Sequence, residues 1–393
     1  MGPRRWYSKP WWRAYDTGYS SGAVIRSVLL LLLLGGLPKT GGDAPPLPPP
    51  RIALRLEAPD VAGPWKMVVT NDGDVPVRVA ADGRLLSLEI ERPEEGGPED
   101  PYGKAGARKK PPPPVVCRLP SELRPSGVTE DRAVVLGPGT RYEEVVSPAL
   151  YCFTESEAKA LIVGARVTAK LGFPDGTKGA PKTAPRAPFV AEPAVVSPPV
   201  GAAKEIVSES FVVAAPAPAS SLATASSESS DDPRGPRLEL TARARVDSID
   251  EKTVATTLTL KNLGGRDVRL HVRRDNLLFD VDGPDGSTHC GLPVTRRAVP
   301  RDLVESLAAG ASRSIEVWIG EMCSNVAFDR PGLYRIRIGL AFPAPPAADG
   351  QRPWTQTVVT REPLLVRIRQ GRLPFYTSPP QVFGGDGGAR GGG

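Results

Sequence analysis

The chain has 393 residues, 24% of them charged and 40% hydrophobic, with a formal net charge of +6. Forty-five prolines and 41 glycines argue against long helices, because proline fixes φ and removes a backbone donor. Two histidines, His271 and His289, weigh against neutral-pH acid–base catalysis, and the scattered pairs Lys109-Lys110, Arg273-Arg274 and Arg296-Arg297 weigh against a nucleic-acid groove.

Taken in chain order, residues 1–50 read as an export segment. Arg26 precedes the apolar run Ser27–Leu37, SVLLLLLLGGL, and small residues and proline follow it, the pattern of a secretory signal. Eleven residues are short of the roughly 20 needed to span a bilayer. No cleavage site stands out, so an anchor over residues 22–37 is the alternative. The basic stretch 1–21 holds three of the six tryptophans and reads as an upstream extension. Leu37–Gly41 spells LPKTG, a wall-sorting pattern, but it follows its hydrophobic run instead of preceding it and reads as chance.

The rest of the chain is organised by an internal repeat. Arg51–Leu56 and Arg237–Leu240 open the two units with apolar–polar alternation, the period of a half-buried strand. Met67–Val79 and Thr257–Leu270 follow, each passing through an asparagine (Asn71, Asn262) and a glycine-bearing turn, where both residue types are expected to supply positive φ. Leu85–Ile90 matches Leu277–Val281, and Gly164–Phe173 matches Gly332–Phe342. Last strands are expected over Ile206–Val213 and Leu364–Ile368. One helical turn is expected at Glu155–Leu161, in the first unit alone.

The cysteines carry the repeat furthest. Cys117-Arg-Leu-Pro120 matches Cys290-Gly-Leu-Pro293, and Cys152 and Cys323 follow them by 35 and 33 residues. Leu136 and Gly139 precede Cys152 by the same distances as Leu307 and Gly310 precede Cys323. Four cysteines allow three pairings. The repeat favours Cys117 with Cys152 and Cys290 with Cys323, since either crossed scheme gives equivalent cysteines different partners.

Between these strands lie segments of different composition. Residues 92–114 and 174–201 read as insertions in a first unit spanning 51–213. Residues 214–236, with a Ser/Glu/Asp run, read as a disordered linker, 237–371 as the second unit, and 372–393 as a disordered Gly-rich tail. Short strands at regular spacing imply an all-β chain of two tandem β-sandwich units.

Asn262 and its turn, Asp282–Gly286, Leu307–Gly310, Trp318 and Arg330-Pro-Gly-Leu-Tyr334 together resemble bacterial immunoglobulin-like domains, including the BsuPI-type proteinase inhibitor family. The resemblance covers about 110 residues of the second unit. The first unit lacks the Pro-Gly-x-Tyr turn and carries the 92–114 insertion. The resemblance implies an immunoglobulin-like sandwich in each unit and, as an alternative function, proteinase inhibition. The loop Leu292–Leu303 with Arg296-Arg297 is then the candidate protease-facing segment, with a plain connector preferred.

No catalytic, cofactor or metal site is expected. The cysteines stand singly, and His289 beside Cys290 has no counterpart in the first unit, so a four-ligand zinc site is not indicated. Asp280, Asp282 and Asp285 are out of step with a calcium loop and fit a strand end and turn. No nucleophile elbow, Walker or dinucleotide motif occurs. The reading is an exported, non-catalytic cell-envelope protein, periplasmic or membrane-anchored, that binds an envelope protein or glycan and no nucleic acid. A carboxylate-based enzyme is the weaker alternative.

Overall fold

The computed structural model describes residues 51–58, 60–61, 63–93, 112–173, 191–193, 205–215, 237–291, 303–323, 325–342, 354–375 and 380–384. All belong to one compact body beginning at Pro48. The expected export segment, residues 1–50, lies outside the described residues, as do nearly all of the 214–236 linker and all but Leu303 of the Leu292–Leu303 loop.

The chain is all-β. The first repeat contributes β1 (Ile52–Glu57), β2 (Trp65–Asn71), β3 (Val77–Ala80), β4 (Leu86–Glu91), β5 (Val115–Arg118), β6 (Ala133–Leu136) and β7 (Arg141–Val146). Two short helices follow, α1 (Pro148–Tyr151) and α2 (Glu155–Ala160). Then come β8 (Arg166–Gly172), β9 (Ala191–Pro193), β10 (Glu205–Val207) and β11 (Phe211–Val212). The sheet β1-β2-β7 packs over β10-β8-β4-β5, and β6-β3-β9 closes one side. Leu54, Met67, Val69 and Tyr142 from the first sheet meet Leu86, Leu88, Ile90, Val167 and Leu171 from the second in one buried core.

The second repeat contributes β12 (Leu238–Ala242), β13 (Arg245–Ser248), β14 (Ala255–Asn262), β15 (Val268–Leu270), β16 (Leu277–Gly283), β17 (Gly286–Gly291), β18 (Glu305–Leu307) and β19 (Ser312–Trp318). After α3 (Ile319–Met322) come β20 (Gly332–Leu340), β21 (Val358–Val359) and β22 (Leu364–Ile368). Here β12-β14-β19 packs over β13-β22-β20-β16-β17. Alternation drives both repeats: β14 buries every second residue from Thr256 to Asn262, and β16 buries Leu277, Phe279 and Val281.

Asn71 and Asn262 act through their side chains. Asn71 Nδ2 donates to the carbonyls of Val75 (2.9 Å) and Leu136 (3.0 Å), and its Oδ1 accepts from Gly73 N (3.0 Å). Asn262 repeats this with Arg266 (2.9 Å), Leu307 (3.0 Å) and Gly264 (3.0 Å). Positive φ falls instead on Gly139 (70°) and Gly310 (75°), whose amides bond the Asn71 and Asn262 carbonyls at 2.8 and 2.9 Å. A fully buried amide needs partners for both its donor and its acceptor, and the facing loop supplies them.

Three segments differ from the sequence expectation. Within the insertion 174–201, Ala191–Pro193 pairs with β3. Arg245–Ser248, to which the sequence reading assigns no strand, runs parallel to β22. In the tail 372–393, Gln381–Phe383 forms β23, antiparallel to β7. Composition marked that tail as disordered, but an open sheet edge pairs with any backbone that reaches it. Arg141 lies 5.9 Å from the Phe383 ring and adds a cation–π contact. The short helix α1, which was not anticipated, has a counterpart in α3, each ending at a cysteine.

Cys117 bonds Cys152 across a Cα separation of 4.7 Å, and Cys290 bonds Cys323 across 5.0 Å. Each bridge ties the edge of one sheet to the short helix after the other. A loop of this length contributes about 4 kcal/mol in the chain-entropy description. Replacing Cys117 and Cys152 together by serine should therefore lower the unfolding free energy by about 4 kcal/mol, read by urea titration of tryptophan fluorescence. An unchanged midpoint would show that the bridge does not restrain the unfolded chain.

Candidate functional site

The most unusual chemistry lies where the two repeats meet, around α1. Inward positions of β7 are Tyr142, Glu144 and Val146. Glu144 falls five residues after Gly139 and eight before Cys152, and Ile315 occupies the same place relative to Gly310 and Cys323. The fold thus accepts an aliphatic side chain here, and the first repeat buries an acid instead.

Glu144 Oε2 accepts from Gly83 N at 2.8 Å. Burial pushes its pKa from 4.5 to about 7; the Gly83 bond and the Arg132 and Arg84 guanidiniums pull down, and Asp82 adds to the rise. Asp82 and Arg84 pair at 2.6 Å, with Asp82 almost fully buried. In the second repeat the same two positions carry the reversed pair Arg273–Asp275, at 3.1 Å and half exposed. Tyr151, from α1, donates its hydroxyl to the Gly83 carbonyl at 2.7 Å. Burial, and then the nearby Glu144, hold the Tyr142 and Tyr151 phenols well above their usual range. The Phe375 ring, beyond the second repeat, lies 5.6 Å from the Arg84 guanidinium.

The other side of the α1 turn meets two arginines of the second repeat. Arg367, on β22, is buried and donates from Nη1 to the Leu150 carbonyl (3.1 Å). Its Nε and Nη2 meet the two Asp247 oxygens at 3.2 and 2.6 Å. Arg245, on β13, donates to the carbonyls of Cys152 (2.9 Å) and Phe153 (3.3 Å). Both guanidiniums face the buried Phe153 ring, Arg367 at 4.4 Å and Arg245 at 5.8 Å. Arg369 holds the same Asp247 (2.7 Å) and reaches Glu122 of the first repeat (3.4 Å). Burial works against the Asp247 charge, yet hydrogen bonds from Arg369 and Arg367 keep its pKa below the ordinary value.

The residues singled out from sequence are not brought together. Asp280 bonds His289 Nδ1 (2.6 Å), Asp282 accepts from Ser287 (2.5 Å), and Asp285 meets Arg330 (2.7 Å), so each acid has a separate partner. His271 is buried, with Nδ1 at 3.0 Å from the Leu303 carbonyl. Among the described residues no three His, Cys, Asp or Glu side chains gather as a metal set. A shallow apolar depression of about 510 Å³ is lined by Glu57, Ala58, Pro64, Trp65, Lys66 and Val145. Neither the Glu144 cluster nor the arginine clamp was anticipated. One signal was available: YEEVV puts glutamate at an inward position where the sister strand has isoleucine.

Glu144 links stability to pH. Its folded pKa is raised, so its favourable contribution is complete below pH 4.5 and is lost as pH rises towards 7. The first repeat should lose up to about 3 kcal/mol across this window. Glu144→Gln should flatten the profile and Glu144→Ile should stabilise at pH 8, both by urea unfolding; an unaltered slope in Glu144→Gln would reject the assignment.

Arg367→Ala should cost about 3 kcal/mol, because it strips Asp247 and the Leu150 carbonyl of a buried partner. Calorimetry should then show two separated transitions, one per repeat, in place of one. A single unshifted transition would mean the clamp does not couple the repeats.

No protein-family model matches this chain, and no curated protein matches it. Among solved structures it is similar to red sea bream transglutaminase at 12% identity and a TM-score of 0.16, over 81% of this chain and 31% of that chain. The chain thus spans about a third of that protein's length, and a likeness at this score transfers neither fold nor activity. Among the described residues no helix is long and apolar enough to cross a membrane.

Proposed function

We propose that this chain is an exported, non-catalytic protein of the cell envelope in which two immunoglobulin-like units act as one rigid binding or structural module. The observation that carries the reading is the arginine clamp, Arg245 and Arg367 on Leu150–Phe153, beside the Cys117–Cys152 bridge. A buried arginine and a half-buried one, each with more than one bond, orient one repeat on the other, as a scaffold that presents sheet edges and loops at a set spacing requires. The two disulfides suit an oxidising compartment, in keeping with the apolar run after Arg26. Tyr334 supports the immunoglobulin-like assignment: its hydroxyl turns back to the Arg330 carbonyl at 2.5 Å, the geometry of a tyrosine corner. The partner class is an envelope protein or glycan met through backbone edges and polar faces.

Labelling intact native cells with a membrane-impermeant amine reagent, followed by non-reducing peptide mapping, tests this reading. The chain should be labelled and its four cysteines should appear as two linked peptides. A cytosolic pool with four free thiols would overturn it. Extraction by carbonate or only by detergent separates release from retention through residues 22–37.

A further inference from the structure

Equivalent edges of the two repeats are treated differently. In the first, β7 is covered by β23 from the chain's own tail, with Gln381, Val382 and Phe383 opposite Glu143, Tyr142 and Arg141. In the second, β19 is paired with β14 on one side, and no described strand pairs with its other side. The β19 sequence, Ser-Arg-Ser-Ile-Glu-Val-Trp, has neither proline nor lysine to blunt it. Its charged inward residue, Arg313, is taken up by Glu305. Trp318 at its end is 44% exposed, and the equivalent residue beside the covered β7 edge is Ser147.

We infer that β19 is a self-association edge, pairing antiparallel with β19 of a second copy about a two-fold axis to join two three-stranded sheets into one of six. An antiparallel pair keeps outward residues beside outward residues, so the register moves in steps of two. Centred on Ile315, all seven residues find partners. Ser312 faces Trp318, Ser314 faces Glu316, Arg313 faces Val317, and Ile315 meets its own copy. A two-residue shift towards the C-terminus opposes Glu316 to Glu316, and the shift the other way leaves Val317 and Trp318 unpaired. The Ile315 register therefore has no like charges facing each other and covers the exposed tryptophan, a residue type that anchors interfaces. The isologous contact closes at two copies.

Sedimentation velocity of the full chain over a concentration series tests the inference. Dimer formation is expected, accompanied by a blue shift of tryptophan emission that Trp318→Ala removes. Ser314→Glu places two acids opposite each other twice per dimer and should weaken association about tenfold. Ser314→Glu combined with Glu316→Lys turns each clash into an opposite-charge pair and should restore it. Both positions are exposed, so the fold is retained. A chain that stays monomeric overturns the inference, as does a dimer indifferent to Ser314→Glu. A dimer lost instead in Val382→Pro would place the contact at β7 by exchange of the tail strand, and would overturn it too.

Discussion

The turn from Pro148 to Phe153 is held from three directions, and the arrangement of the two repeats depends on it. The bridge from Cys152 to Cys117 ties it to the edge of one sheet. Tyr151 points inward and bonds the Gly83 carbonyl in the polar cluster. The carbonyls of Leu150, Cys152 and Phe153 point outward, where Arg367 and Arg245 take them. A helix of one turn leaves its last carbonyls without internal partners. Here a neighbouring repeat supplies those partners, so a local deficit in hydrogen bonding becomes an inter-repeat contact.

The two repeats keep one framework and differ in what they bury. Asn71 and Asn262 make matching bonds, the glycines nine residues before α1 and α3 hold matching turns, and both disulfides occupy the same corner. Against that background the first repeat has Glu144 where the second has Ile315, and a buried Asp82 paired with a half-buried Arg84 where the second has a half-exposed Arg273–Asp275 pair. An acid held near pH 7 by burial costs stability above its unfolded pKa. The second repeat, free of that burden, has no described strand on the outer side of β19 and places a tryptophan at the end of it.

Local information in the chain determined a good deal. Period-two alternation, the matched asparagine turns, the Cys-x-Leu-Pro pair and the equal offsets to the later cysteines specify an all-β chain built on an internal repeat, because each signal depends on residues within a few positions or on a spacing repeated along the chain. Tertiary structure alone decided how those strands meet. The pairing of Gln381–Phe383 with β7 brings a tail whose composition carries no strand signal to residues about 240 positions earlier, and the parallel run of Arg245–Ser248 along β22 places Arg367 beside Asp247 where no pattern predicts its burial. Arginine in a sequence reads as surface. The buried Arg367 guanidinium is made favourable by Asp247 of its own repeat together with the Phe153 ring and the Leu150 carbonyl of the other, so part of the cost of desolvating it is offset by partners that exist once both repeats are folded and docked.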